Sequence, residues 1–210
     1  MIVYDVVQPS TEWHDLRLGR PTSSEFKRII CAKSAKFSKG AERYIDQLIG
    51  EKLAIGYPAA AESYTTRAMI WGTNTEQQAR DLYALETKLD VRKIGFITTD
   101  DGRFGCSPDA MVFDADKIVG GTEIKCPEPE THMRWLRRWK TLKEFPPEHK
   151  AQVHGGLAVS NLGFWDFLSY VPGIDPLLIR TVPDAFTIEL RVSLEIFWAK
   201  YQRAIAALSM

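Results

Sequence analysis

The chain has 210 residues, with 27 Lys and Arg against 27 Asp and Glu and a formal net charge of zero. That length can bury a core and fits one domain, residues 1–210, better than two. Balanced charge excludes a broadly basic nucleic-acid-binding surface, so any nucleic-acid site must be a local patch. No apolar run is long enough to span a bilayer, and Met1-Ile-Val-Tyr-Asp5 lacks the basic start and apolar core of a secretory signal, so a cytoplasmic protein with no membrane partner is expected. Cys31, Cys106 and Cys126 have no Cys-x-x-Cys spacing, which argues against a zinc ribbon and for reduced thiols acting as small buried residues.

In chain order, Pro21-Thr-Ser-Ser24 followed by Glu25 reads as a helix N-terminus ahead of Phe26, Ile29 and Ile30. Residues 41–53 repeat Tyr44, Ile45, Leu48, Ile49 and Leu53 at helical spacing, stopped by Gly56-Tyr-Pro58. A second helix is predicted over 69–89, broken near Gly72-Thr73, with Ala79, Leu82, Tyr83 and Leu85 facing the core. Residues 91–98 alternate loosely as a strand and end at Asp100-Asp-Gly102. Residues 104–113 and 117–125 flank Asp114-Ala-Asp116 as a hairpin or neighbouring antiparallel strands. Helices follow over 131–142 and, after Pro146-Pro147, over 148–160. Strands are predicted at 164–171 and 177–182; 186–190 reads as a third strand or a helix lead-in, and 194–208 as a closing amphipathic helix. The fold class is α/β (α+β), a mixed sheet flanked by helices.

On a strand, Glu123 and Lys125 share a face and Ile124 points the other way. A turn near Ala115-Asp116 brings Asp109 within about one position of Glu123 on the partner strand. Two crowded carboxylates repel unless a cation lies between them, and Mg²⁺ takes one or two carboxylates with water and substrate phosphate. Lys125 can then orient or deprotonate the attacking water. Glu-x-Lys alone is equally a solvated strand face; Asp109, bracketed by Gly105 and Pro108, argues against that reading. Glu76 and Gln152 lie on helices that could project them into the site, or are solvated helix residues.

These residues resemble a known family. Asp109 followed by Glu123-x-Lys125 is the pattern of the PD-(D/E)xK nuclease superfamily, with its restriction-endonuclease-like core. The chain is similar more specifically to the lambda exonuclease family of alkaline exonucleases, or YqaJ-like viral recombinases. The segments that carry the likeness are Trp13-His-Asp-Leu-Arg-Leu-Gly19 with Thr22-Ser-Ser-Glu25, and Trp71-Gly-Thr-Asn-Thr-Glu-Gln-Gln-Ala-Arg80. Cys106-Ser-Pro-Asp109, Glu123-Ile-Lys-Cys-Pro127 and Ala151-Gln-Val153 follow in family order, from residue 13 to about 172.

The resemblance implies a 5′→3′ exonuclease on double-stranded DNA ends, using Mg²⁺ with Mn²⁺ able to substitute, in a two-metal site. It implies a toroidal homotrimer and a single-strand annealing protein as partner in phage recombination. By position, Asp109, Glu123 and the Ile124 carbonyl match the metal ligands, with Glu76 near a second ion. Lys125 and Gln152 match residues that position or activate water. Arg17, Ser24 and Ser107 match a 5′-phosphate pocket, in keeping with an arginine fork and hydroxyls near a helix N-terminus. The family's pocket can hold a second arginine after the Cys-Pro pair. Here Glu128-Pro-Glu130-Thr131-His132 intervenes, and His132 or Arg134 is the candidate to take its place.

Arg134, Arg137, Arg138 and Lys140 offer a basic stripe for DNA, beside Trp135 and Trp139 on one helix face. The same spacing equally gives an amphipathic helix with a core-facing Trp pair. Lys33, Lys36 and Lys39 form a second basic loop, and His149 and His154 read as structural or DNA-contacting residues. The alternatives to an exonuclease are a restriction-type or RecB-like nuclease and a non-catalytic DNA-binding recombination scaffold.

Overall fold

Two sheets carry the architecture of the computed structural model, which describes residues 1–54 and 67–208. The chain begins with β1 (Ile2–Tyr4), α1 (Thr11–Arg17), a 3-10 turn (Ser23–Arg28), α2 (Glu42–Leu53) and α3 (Arg67–Thr87). Next come β2 (Asp90–Arg92), β3 (Phe96–Thr98), β4 (Gly105–Cys106), β5 (Ala110–Asp114) and β6 (Lys117–Lys125). The C-terminal third is α4 (Pro129–Leu142), α5 (Pro147–Ser160), β7 (Phe164–Ser169), β8 (Leu177–Thr181) and α6 (Ala185–Leu208). The larger sheet has the order β2-β5-β6-β7-β8 and is mixed: β6 and β7 are parallel, joined through α4 and α5, and the other pairs are antiparallel. The smaller sheet is β1-β3-β4.

Alternation on β6 divides the core as its sequence predicts. Ile124 packs with Ala79, Tyr83, Val112 and Leu168 beneath α3. The opposite face contributes Trp165 and Phe167 to the main core, which α2, α5 and α6 cover. α5 lies close on this face because Gly156 faces the Trp165 ring; a Cβ there would come within 2.5 Å of it. Gly155 plays the same part toward Ser23 and Phe26, so two adjacent glycines set how near the 3-10 turn sits to the sheet.

Several elements depart from expectation. The loose strand at 91–98 is two strands in different sheets. At its middle, a Cβ on Gly95 would lie 1.8 Å from the Val6 carbonyl oxygen, and only glycine admits that approach. Residues 104–113 are likewise split into β4 and β5 by Ser107-Pro108-Asp109. α3 runs through Gly72-Thr73 without a break, and Leu85 is exposed because Ala79 and Tyr83 define the buried face. The segment at 186–190 is helical. Asp184 caps α6 by accepting the Thr187 N–H (3.0 Å), and Phe186, Leu190, Leu194, Phe197 and Tyr201 form its buried stripe.

Of the three cysteines only Cys106 is buried; Cys31 is exposed. The predicted helix stop at Gly56-Tyr-Pro58 lies outside the described residues. Among the described residues no helix is long and apolar enough to cross a membrane.

Candidate active site

The candidate reaction centre forms where β5 begins and β6 ends. The Asp109 N–H donates to the Thr122 carbonyl (3.2 Å), continuing the Ala110–Thr122 pair by one step, so Asp109 faces Glu123. This alignment depends on a register shift between Val112 and Phe113. Without that extra residue Asp109 would sit one position away, its side chain on the other face. The Ile124 N–H donates to Asp109 Oδ2 (2.5 Å), and Lys125 Nζ pairs with Glu123 Oε1.

Glu123 is only 1 % exposed. Burial raises its pKa, and Asp109 and Glu76 raise it further against the pull of Lys125. Burial alone would lower the Lys125 pKa, but the attraction of Glu123, Asp109 and Glu76 outweighs that and raises it. Burial, then repulsion from Asp109, also raises Glu76. Glu123 and Glu76, both raised with Asp109 beside them and one lysine among them, suit a hard cation. Asp109 Oδ1 and Glu123 Oε2 have no hydrogen-bond partner among the described residues, which leaves both as acceptors. No three His, Cys, Asp or Glu side chains among the described residues gather into a protein-only cage.

Glu76 reaches this centre from α3, paired with Arg80. Arg80 also donates from Nε to the Asp109 carbonyl (3.2 Å) and from Nη1 to Gln77 (2.7 Å). This nearly buried guanidinium therefore ties two of the acidic positions together. Sequence reasoning gave Arg80 no role beyond its place at the end of the Trp71–Arg80 segment; Glu76 and Gln77 are helical neighbours, but the contact with Asp109 lies 29 residues away. On the far side, α5 brings His149 against Phe167 and Trp135. Burial and the Lys125 charge lower the His149 pKa to about 4. Gln152, half-buried, follows three residues later on the same helix face.

Two residues before Asp109, a separate polar site is built around Ser107. Arg17, at the end of α1, donates from Nη1 to Ser107 Oγ (2.7 Å) and lies 3.4 Å from the hydroxyls of Thr22 and Ser24. The Trp13 indole N–H donates to the same Ser107 oxygen (3.0 Å), and the guanidinium sits over the Trp13 ring at 4.4 Å. The Gly105 N–H bonds the Pro21 carbonyl (3.0 Å), holding the hydroxyl-bearing turn beside Ser107. Arg17 forms no ion pair with a carboxylate among the described residues, neither with Asp15 nor with Glu12 on its own helix. Burial lowers its pKa. A partly dehydrated cation ringed by neutral hydroxyls has the chemistry to receive an anion. Trp13 and Thr22 lie in the motifs the sequence singled out, but their contacts with Arg17 and Ser107 emerge only on folding.

Of the two candidates for the missing second arginine, His132 does not replace it. His132 is fully buried, bonded to Ser169 Oγ (2.7 Å) and the Asp175 carbonyl (3.0 Å). Arg134 lies 4.0 Å from Glu148. The basic stripe is partly neutralised as well: Arg138 pairs with Glu144 and Lys140 with Asp175, while Arg137 is exposed without an ion pair among the described residues. Trp135 is buried and Trp139 packs against the core, so the Trp pair is structural. His154, bonded to Thr187 (2.8 Å), is structural too, and Lys33, Lys36 and Lys39 are exposed.

An alkaline exonuclease, LHK-Exo, from Laribacter hongkongensis superposes with a TM-score of 0.77 at 27% identity, over 95% of this chain and 96% of that one. The same values hold for LHK-Exo in complex with dAMP. A phage related exonuclease from Haemophilus somnus 129PT shares the fold, with a TM-score of 0.63 at 13% identity over 93% and 99% of the two chains. No curated protein sequence is significantly similar to this one. Residues 12–163, which hold both the Arg17 pocket and the Asp109–Glu123–Lys125 centre, match the YqaJ-like viral recombinase domain, and the chain belongs to that family.

Proposed function

We propose that the chain is a metal-dependent 5′→3′ exonuclease that hydrolyses one strand of linear double-stranded DNA and leaves a 3′ overhang. The observation that carries this reading is the closeness of two sites on one short segment. Ser107 belongs to the Arg17 anion site and Asp109 to the carboxylate centre, and two residues span at most ~7 Å. A strand held by its 5′-phosphate at Arg17, Ser24 and Ser107 would present its next phosphodiester to Asp109. The alkaline exonuclease activity named for LHK-Exo, and its complex with the nucleoside monophosphate dAMP, support the same reading.

Asp109, Glu123 and the Ile124 carbonyl are the groups that would hold Mg²⁺ or Mn²⁺, with Glu76 beside a second ion. Bound metal supplies a water of lowered pKa and polarises the phosphate. Lys125 and Gln152 orient that water, and Lys125 offsets negative charge developing on the phosphate. Water oxygen bonds to phosphorus and the bond to the 3′-oxygen breaks. A 5′-mononucleotide leaves, and the new terminus again carries a 5′-phosphate for Arg17. Assembly as a toroidal homotrimer and recombination with a single-strand annealing protein belong to this reading; light scattering tests the first.

The deciding experiment uses linear duplex labelled at either end, with and without a 5′-phosphate, and covalently closed circular DNA. Mg²⁺-dependent release from the 5′ end, faster with the phosphate, is expected, with closed circles resistant. Release from the 3′ end, or nicking of circles as fast as linear duplex, overturns it.

A further inference from the structure

Beside the carboxylates lies a cleft of about 400 Å³. The segment from Asp5 to Pro9 forms one wall, and the face of α3 bearing Glu76, Gln77 and Arg80 forms the other. Lys93 stands among its lining residues, and Pro108 and Asp109 border it on the side of the reaction centre. The walls are braced within the fold: the Gln8 side-chain amide donates to the carbonyls of Ile94 (3.2 Å) and Pro108 (3.0 Å). Gly95 admits the Val6 backbone against the same loop.

Lys93 differs from its cationic neighbours. Arg80 is engaged by Glu76, Gln77 and the Asp109 carbonyl, and Arg92 by Asp90. Lys93 is exposed and makes no hydrogen bond or ion pair among the described residues; its charge reaches Glu76 across the cleft without contact. The cleft thus combines an unpaired ammonium, an apolar rim of Val7, Pro9 and Pro108, and direct continuity with Asp109. Its volume falls in the range of about 300–1,000 Å³ in which small ligands are held.

We propose that this cleft binds the nucleotide following the scissile phosphate on the hydrolysed strand, with Lys93 holding the next phosphate along. The inference rests on the exonuclease reading above. With the strand end at Arg17 and the scissile phosphate at Asp109, the strand continues past Asp109 away from Ser107. The cleft is lined by Pro108 and Asp109 and not by Ser107. The apolar rim takes the sugar and base without reading sequence. After each cut the nucleotide in the cleft becomes the new terminus and shifts toward Arg17.

Full-length protein and 5′-phosphorylated duplex test this in two ways. Binding is read by fluorescence anisotropy with Ca²⁺ in place of Mg²⁺ between about 50 and 200 mM salt, and turnover is read with Mg²⁺. Lys93→Ala should flatten the plot of log K against log salt by about 0.7–0.9, the share of one phosphate contact. It should raise KM several-fold with kcat kept, and Lys93→Arg should restore both. Val7→Trp, at a site 73% exposed and so tolerant of bulk, should raise KM by filling the cleft from its rim. Lys117→Ala, an exposed lysine at the β5–β6 turn, should change neither quantity. A wild-type slope and KM in Lys93→Ala, in an enzyme that still degrades from the 5′ end, overturn the cleft assignment alone. Absence of 5′-end degradation by the wild type overturns the reading beneath it, and this assignment with it.

Discussion

Replacing Arg17 by methionine should abolish the preference for phosphorylated ends while leaving the fold standing. In the folded chain the guanidinium makes one good hydrogen bond, to Ser107 at 2.7 Å, and two long ones at 3.4 Å to Thr22 and Ser24. None of these partners carries charge, so they offset only part of the cost of dehydrating the cation. Methionine keeps apolar contact with the Trp13 ring and removes the stranded charge. The change in stability should stay within about 1–2 kcal/mol, a few degrees in Tm for a chain of this size. Its effect on substrate is of another order. A charge-assisted hydrogen bond to phosphate contributes about 1.5–3 kcal/mol, or roughly 10- to 150-fold in kcat/KM. The assay is the ratio of kcat/KM for 5′-phosphorylated over 5′-hydroxyl linear duplex. It should fall to near unity in Arg17→Met and to an intermediate value in Arg17→Lys, which keeps the charge and loses the planar fork. An unchanged ratio in Arg17→Met would refute the reasoning. So would a fall in Tm beyond about 10 °C, which would make Arg17 a structural strut.

Asp109→Asn and Lys125→Ala should each lower Mg²⁺-dependent digestion by at least about 10²-fold with circular dichroism unchanged; near-wild-type rates in either would displace the reaction centre from β5 and β6. Stability should also fall with acid in a defined window. Burial, reinforced by Lys125, holds His149 at about 4, and burial against Asp184 holds His154 at about 4. Unfolded imidazole titrates near ~6.5, so between these values the unfolded chain binds more protons and stability drops as pH falls. It is full above about 6.5, and each histidine contributes a loss of up to about 3 kcal/mol by pH 4. Glu123 and Glu76, held above their ordinary values, oppose this slope in the same window, so the histidine share is read by difference: urea midpoints from pH 7.5 to 5 should fall less with acid in His149→Gln than in the wild type, and equal slopes in the two would mean that His149 is not held neutral.

The legible parts of the site were those governed by period and local chemistry. The alternation that sets Glu123 and Lys125 apart from Ile124 is intrinsic to a strand and survives folding unchanged. The opposition of Asp109 and Glu123 was legible to within one position and no closer. The bulge that completes it leaves Val119 of β6 unpaired between Ile118 and Gly120; Gly120-Gly121 marks the irregularity but does not say which way the register moves. Phe186-Thr-Ile-Glu-Leu190 satisfies both the strand and the helix period, and the cap at Asp184 decides the matter. Arg80, Lys93 and Trp13 were hidden for a different reason: their functions lie in contacts or clefts made by segments tens of residues apart. His132 shows the converse, a residue whose place in the motif suggested a phosphate contact but whose burial against Ser169 removes it.

The neutral net charge, which at first argues against a DNA enzyme, follows from how charge is distributed. On the proposed reading the acidic residues at the centre hold a cation, and a phosphodiester approaching three carboxylates would be repelled until that cation is in place. Positive charge is correspondingly needed only where the strand is gripped on either side. Arg17 lies on the Ser107 side and Lys93 in the cleft beyond Asp109, both without carboxylate partners among the described residues. Several other cations are tied down: Arg80 by Glu76, Arg92 by Asp90, and Arg138 by Glu144. Pairing those surplus cations removes sites where the backbone could settle out of register. An enzyme that must advance by one nucleotide after every cut gains from few, well-placed contacts, because each further phosphate contact would have to be broken at each step.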